Sequence, residues 1–149
     1  MTTAVDTGMV QASLVLHLAS KNLIQWNASL GYAENPYKPA GRFGILTDAP
    51  ATQVSVNVYD HSTARDDHNP DVFIQLRFRA AGRDPRTVDR LADAVFAELH
   101  WSDSHSAENW PGGVHVLQCR RTVRGPSAPD SQDRYERPDS YRITFNPGD

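Results

Sequence analysis

The stretch VFIQLRFRAAGRDPRTVDRLADAVFAELH, residues 72–100, decides the fold class. Its first part alternates, with Ile74, Leu76 and Phe78 on one side and Gln75, Arg77 and Arg79 on the other, the period of a half-buried strand. Gly82-Arg83-Asp84-Pro85 then supplies a turn, an N-cap carboxylate and a proline for the first helical position. From there Val88, Leu91, Ala92, Val95, Phe96 and Leu99 recur at three- and four-residue spacing, while Asp89, Arg90, Asp93 and Glu98 take the wet side. A strand, a tight turn and an amphipathic helix over residues 85–100 follow directly.

The same two periods organise the flanks. Val10, Leu14, Val15, Leu18 and Leu23 predict a helix over residues 7–23, and Val54, Val56 and Val58 alternate with Ser55, Asn57 and Tyr59 in a strand. Between them Gly31, Pro36, Pro39, Gly41 and Gly44 break any long element, so the segment reads as an extended connection that Tyr32, Tyr37 and Phe43 pin to the core. A polar loop spans His61 to Pro70. Pro111-Gly112-Gly113 leads into a third strand over Val114–Thr122, and Tyr141, Ile143 and Phe145 mark a terminal strand over residues 140–146. Residues 124–138, with Gly125, Pro126, Pro129, Pro138 and many charges, read as a long mobile excursion. The expectation is an α+β fold: one domain over residues 1–149, a mainly antiparallel sheet of about four main strands, and two helices on one face.

Length and composition narrow the function. The 149 residues match one ordinary domain, and scaling gives roughly two-thirds of the surface buried on folding, enough for a core without staples. A net charge of −3 gives no general attraction to nucleic acid or anionic lipid. The single cysteine, Cys119, excludes an internal disulfide and multi-thiolate zinc sites, and suggests a reducing compartment. The apolar-leaning stretch from Met9 to Ile24 is interrupted by Gln11, Ser13, His17, Ser20 and Lys21, so neither export nor membrane anchoring is expected.

No active-site pattern emerges. His61 with Asp66, Asp67 and His68, and His100 with Asp103 and His105, are the dense ligand-type sets, but neither has the spacing of a helical zinc pair or a calcium loop. They read as solvated loops, and no metal or cofactor is expected. Cys119 and His115, four apart in a straight strand, would share a face about 13 Å apart, too far for a nucleophile and its base. Gly112-Gly113 precedes a strand, whereas phosphate loops open a helix. Charge segregation is the remaining feature: all arginines but Arg42 and Arg65 follow residue 70, and Arg120, Arg121, Arg124, Arg134 and Arg137 surround the expected long loop. Guanidinium forks suit protein interfaces, and interleaved Asp130, Asp133 and Glu136 weigh against direct DNA contact.

Taken in order, the strand, Asp-Pro turn and helix of residues 72–100, the Gly112-Gly113-Val114 strand start, Asp133-Arg134-Tyr135-Glu136-Arg137 and Tyr141-Arg142-Ile143-Thr144-Phe145 resemble the tail terminator (minor capsid) proteins of long-tailed bacteriophages, over roughly residues 9–146. The resemblance implies a non-enzymatic virion protein, made in the host cytoplasm. Its copies would form a ring, commonly a homo-hexamer, at the head-proximal end of the tail tube, stop tube polymerisation and join the tail to the neck or connector. DNA would pass through that ring without sequence-specific binding. The five arginines above are the expected interface. The alternatives are a head-tail adaptor or stopper protein and, from another class, a small metal-dependent hydrolase using His61, Asp66 and His68.

Overall fold

The computed structural model describes residues 6–29 and 31–148. Two helices, α1 (Thr7–Ser20) and α2 (Pro85–Leu99), accompany seven strands: β1 (Ala40–Phe43), β2 (Gln53–Ser62), β3 (Asp71–Arg79), β4 (Glu108–Trp110), β5 (Val114–Arg124), β6 (Ala128–Pro129) and β7 (Tyr135–Asn146). The sheet runs β1-β2-β3-β7-β5-β4, with β6 on β7, and curls into a half-barrel. The four expected long strands are β2, β3, β5 and β7, and their neighbours pair antiparallel. The sheet is nevertheless mixed, because β1 lies parallel to β2, and three short strands join the four.

Cross-strand register sets the faces. Val56 lies opposite Leu76, Ile74 opposite Tyr141, Ile143 opposite Cys119 and Val116 opposite Phe145, so one inner face crosses all four long strands. Both helices press their apolar sides into it: Val10, Leu14, Val15 and Leu18 from α1, and Val88, Leu91, Ala92, Val95 and Leu99 from α2, join the sheet residues in one buried cluster. Each fully buried Leu, Ile or Phe in it contributes about 1.5–3 kcal/mol of transfer free energy, so the helices are held by packing rather than by propensity.

The helix ends follow the local chemistry. Asp84 caps α2 by accepting from the Arg86 backbone N–H at 2.9 Å, with Pro85 in the first turn. Helix α1 stops before the expected residue 23: Asn22 adopts φ 60° and the Leu23 N–H donates to the Leu18 carbonyl at 3.1 Å, closing the helix in a left-handed cap. In the connection after it, Tyr32 does act as a pin, donating to the Gly41 carbonyl at 2.9 Å. Tyr37 and Phe43 are instead exposed.

Two expectations need correction. Residues 124–138 are no long excursion. Strand β5 runs to Arg124, pauses beside Gly125 and resumes as β6 along β7, and the true turn is confined to residues 130–134. There Asp133 takes φ 61°, and the Asp130 carboxylate accepts from the Gln132 and Arg134 backbone N–H groups, an Asx-type turn. Pro126 lies in the gap between β5 and β6, while Pro129 and Pro138 keep register with Tyr135 and Arg77. Likewise β5 is not straight: register shifts at Leu117 and Thr122 insert extra residues. His115 therefore faces outward beside Asn146, and Cys119 inward beside Ile143, so the two do not share a face.

Candidate functional site

Of the five arginines expected at an interface, Arg137 is fully buried and Arg121 largely covered, whereas Arg124 keeps about half of its side chain, 48%, in solvent. Register places Arg121, Arg124 and Arg137 on the inner face, under α2. Arg137 is fully buried and grips the equally buried Asp139 with Nε and Nη2, each at 3.0 Å, while Nη1 donates to Asp89 and Asp93 of α2, both at 3.1 Å. Arg121 lies 3.6 Å from Asp139 and stacks its guanidinium 3.8 Å above the Phe96 ring, and Arg124 approaches Asp89 at 3.7 Å. Three guanidinium groups thus meet three carboxylates in a balanced cluster that clasps α2 to the sheet. Burial works against charge on Arg137, but the Asp139 hydrogen bonds and charge outweigh it and raise its pKa. Burial also acts on Asp89, where hydrogen bonds from Ser127 and Arg137 outweigh it and hold the carboxyl below the usual range.

The other two arginines lie on the outside. Arg120 pairs with the exposed Asp103 at 2.6 Å near the β4 side. Arg134 donates from Nε to Asp130 at 2.9 Å and from Nη1 to the Asp48 carbonyl at 3.0 Å, fastening the 130–134 turn to the loop before β2. Next to it opens a cavity of about 370 Å³ on the outer face, lined by Arg77, Arg79, Arg134, Asp130 and Glu136 with an apolar lip at Ile45 and Leu46.

Arg79 is the central group of that cavity. Although on the outer face, it is only 3% exposed, because residues 47–51 fold over it and accept its hydrogen bonds through the carbonyls of Thr47, Pro50 and Ala51. Buried Gln53 holds the same loop through Thr47 and Pro50. Burial, reinforced by the nearby Arg134 charge, lowers the pKa of Arg79. The sequence analysis missed Arg77 and Arg79 as site residues. The signal was present: both alternate with Ile74, Leu76 and Phe78, so they must emerge side by side on the opposite face.

The histidine sets have structural roles. In the β2–β3 loop the Asp66 carboxylate accepts from the backbone N–H groups of His68 and Asn69 and from the Asn69 side chain, closing the turn, while Arg65 pairs with Asp71 at 3.1 Å. His100 accepts the Arg121 backbone N–H, and His105 stacks on Trp101 and bonds Glu108 at 2.9 Å. Among the described residues no three His, Cys, Asp or Glu side chains converge as a ligand set. His17, not singled out in the sequence, is buried and stacks on Trp110 at a ring separation of 4.4 Å.

The sheet terminates in β1, four residues long, and β4, three residues long; the outer edge of β1 is partly covered, since the Gln25 carbonyl accepts the Gly41 N–H at 2.9 Å and Tyr32 donates to the Gly41 carbonyl. On the β1 side Phe43 and Ile45 are exposed, Ile45 by 78%.

A family model described as bacteriophage tail terminator protein matches residues 17–147, from the last turn of α1 past the end of β7. No curated protein matches the chain. Members of that family are structural rather than enzymatic components of the phage tail, hence of the virion, and interact with the tail tube. With the match running from the last turn of α1 through α2 and every strand of the half-barrel, the chain belongs to the bacteriophage tail terminator protein family.

Proposed function

We propose that copies of this chain close into a ring, a homo-hexamer being the expected number, on the head-proximal end of the tail tube. There the ring stops tube polymerisation and joins the tail to the neck or connector. The observation that carries this reading is the family match across the whole sheet. The short edges at β1 and β4 support it, because a cyclic interface needs two different surfaces on each subunit. So does the single buried cluster uniting both helices with the sheet, as expected of a chain acting as one unit.

Capping acts by mass action: a subunit that binds the tube end but offers no site for the next tube subunit lowers the free energy of the terminated tube relative to the growing one. The net charge of −3 suits a lumen through which DNA passes without being held. Of the five arginines expected at an interface, Arg120, Arg124 and Arg134 keep part of their side chains in solvent and would serve there. Arg121 and Arg137 would act indirectly, by holding α2 and β7 in place.

Infection with a phage lacking this protein tests the reading. Heads and tail components should accumulate unjoined, with tubes of abnormal length. Normal, joined and length-controlled tails in its absence would overturn it.

A further inference from the structure

We propose that the cavity of Arg77, Arg79 and Arg134 receives the acidic tip of the β2–β3 hairpin of a second copy of this chain, a head-to-tail contact that rests on the ring reading above. The cavity is short of negative charge. Its three guanidinium groups face two carboxylates, Asp130 and Glu136, which pair with Arg134 at 2.9 Å and Arg77 at 3.4 Å. Arg79, nine-tenths buried and more, forms no ion pair among the described residues, and its acceptors are the neutral carbonyls of residues 47, 50 and 51. Asp130, Glu136 and Asp48 act on Arg79 without direct contact and do not outweigh its burial, so a further carboxylate brought into the cavity would relieve the cost of burying that cation.

The matching surface lies on the same molecule. Residues 60–71 carry Asp60, Asp66, Asp67 and Asp71 against one arginine, Arg65, which is committed to Asp71. Asp66 closes the turn and Asp60 accepts from the His61 backbone N–H, while exposed Asp67 makes neither a hydrogen bond nor an ion pair among the described residues. Beside them Tyr59 is 55% exposed, an apolar surface for the Ile45–Leu46 lip, where Ile45 is 78% exposed.

Position forbids the two surfaces from meeting within one chain. The cavity sits where Gln53 pairs with Arg79, and the tip lies beyond Ser62 and Asp71, the opposite end of the same ladder. At ~3.3 Å per residue the strands hold them roughly 30 Å apart. A surface and its complement at opposite ends of a rigid hairpin make a heterologous contact, which repeats from copy to copy and closes if the rotation allows.

Two measurements test it. By sedimentation velocity of the full chain at low salt, Arg77→Glu and Asp67→Lys should each weaken self-association at least tenfold, whereas Arg90→Glu, a charge reversal on an exposed face of α2, should not. Equal effects from all three, or none from the first two, overturn the proposal. If the isolated wild-type chain stays monomeric, assembled tails decide: in an Ile45→Cys/Asp67→Cys variant, a bis-maleimide should yield a ladder of multiples of this chain. Rings without a ladder, or a thiol at position 45 linked to a tube subunit instead, overturn the head-to-tail contact and leave the ring reading standing. Tails without rings overturn both.

Discussion

Arg137 and Asp139 sit two residues apart on β7, so strand alternation aims both at α2, where they form a bidentate pair at 3.0 Å and 3.0 Å with no exposure on either side chain. Arg137 therefore belongs to the fold of the subunit itself. Arg137→Ala leaves the buried Asp139 with only Arg121, 3.6 Å away, and the Gly125 N–H to answer it, and unfolding in urea should show a loss near the lower end of the ~3–5 kcal/mol typical of a broken buried pair. Arg137→Met with Asp139→Leu removes both charges and should cost clearly less. A single variant as stable as the wild type would mean that the clasp does not hold α2.

Gly125 makes the return of β6 onto β7 possible. A Cβ built there would lie 1.9 Å from the Pro138 carbonyl oxygen and 2.7 Å from its Cγ, far inside contact distance. Gly125→Ala must push the two strands apart, disturbing the Gly125 N–H to Asp139 hydrogen bond at 3.3 Å and the arginine cluster behind it. The expected loss meets or exceeds the ~1–3 kcal/mol typical of overpacking. Thermal denaturation checks it, and an unchanged midpoint would place the backbone of β6 elsewhere.

His17 gives the protein a pH dependence of definite sign. Burial lowers its pKa below the ordinary 6.5, although Glu98 and Glu108 act to raise it and Lys21 to lower it. Its Nε2 lies 3.1 Å from Glu98 Oε1, without the alignment of a hydrogen bond, so the pair does not offset the burial. The unfolded chain therefore binds the proton more readily, and stability present above pH 6.5 is lost as the pH falls below it. His100, lowered by burial and by Arg120 and Arg121, adds in the same direction. Urea midpoints should decline from about pH 7.5 to about pH 5.5, and His17→Phe, which keeps a ring against Trp110, should flatten that slope. An identical slope in the variant would assign the effect to other groups.

Periodicity could be read wherever one face is apolar and the other wet. The strand, turn and helix of residues 72–100 appear in the structure almost residue for residue, because alternation, the Asp84 cap and the Pro85 start all specify the same outcome. What escaped has specific physical causes. Strand β1 holds only Ala40-Gly41-Arg42-Phe43, too short to show a period, and its parallel partner is set by packing along β2. The bulges at Leu117 and Thr122 each advance the phase by one residue, and the first, lying between His115 and Cys119, turned a straight strand's shared face into opposite faces. The partners of Arg137 were not legible, because composition cannot distinguish a guanidinium in solvent from one answered by Asp89 and Asp93, residues distant in sequence and brought to it only by α2 crossing the sheet. At the cavity the reverse held: Arg77 and Arg79 were legible as neighbours, but the loop that buries Arg79 was not.

The phase of β5 can be tested through its one thiol. With Leu117 inserted, Cys119 falls on the inner face against Ile143 and is fully buried, and burial pushes its pKa up, with Glu108 adding to the shift. Thiolate is the reactive form, so the folded protein should resist a disulfide reagent at about pH 8 and react fully once unfolded in urea. Because Cys119 pairs with Ile143 on one side and its carbonyl accepts the Trp101 N–H at 2.9 Å on the other, with its side chain in the core, the slow native reaction should track global stability. Gly125→Ala and Arg137→Ala should therefore both accelerate labelling in proportion to their loss of stability. Rapid labelling of a protein whose circular dichroism remains native would mean that Cys119 faces outward beside His115. The bulge, and with it the inward aim of Arg121 and Arg124, would then be wrong.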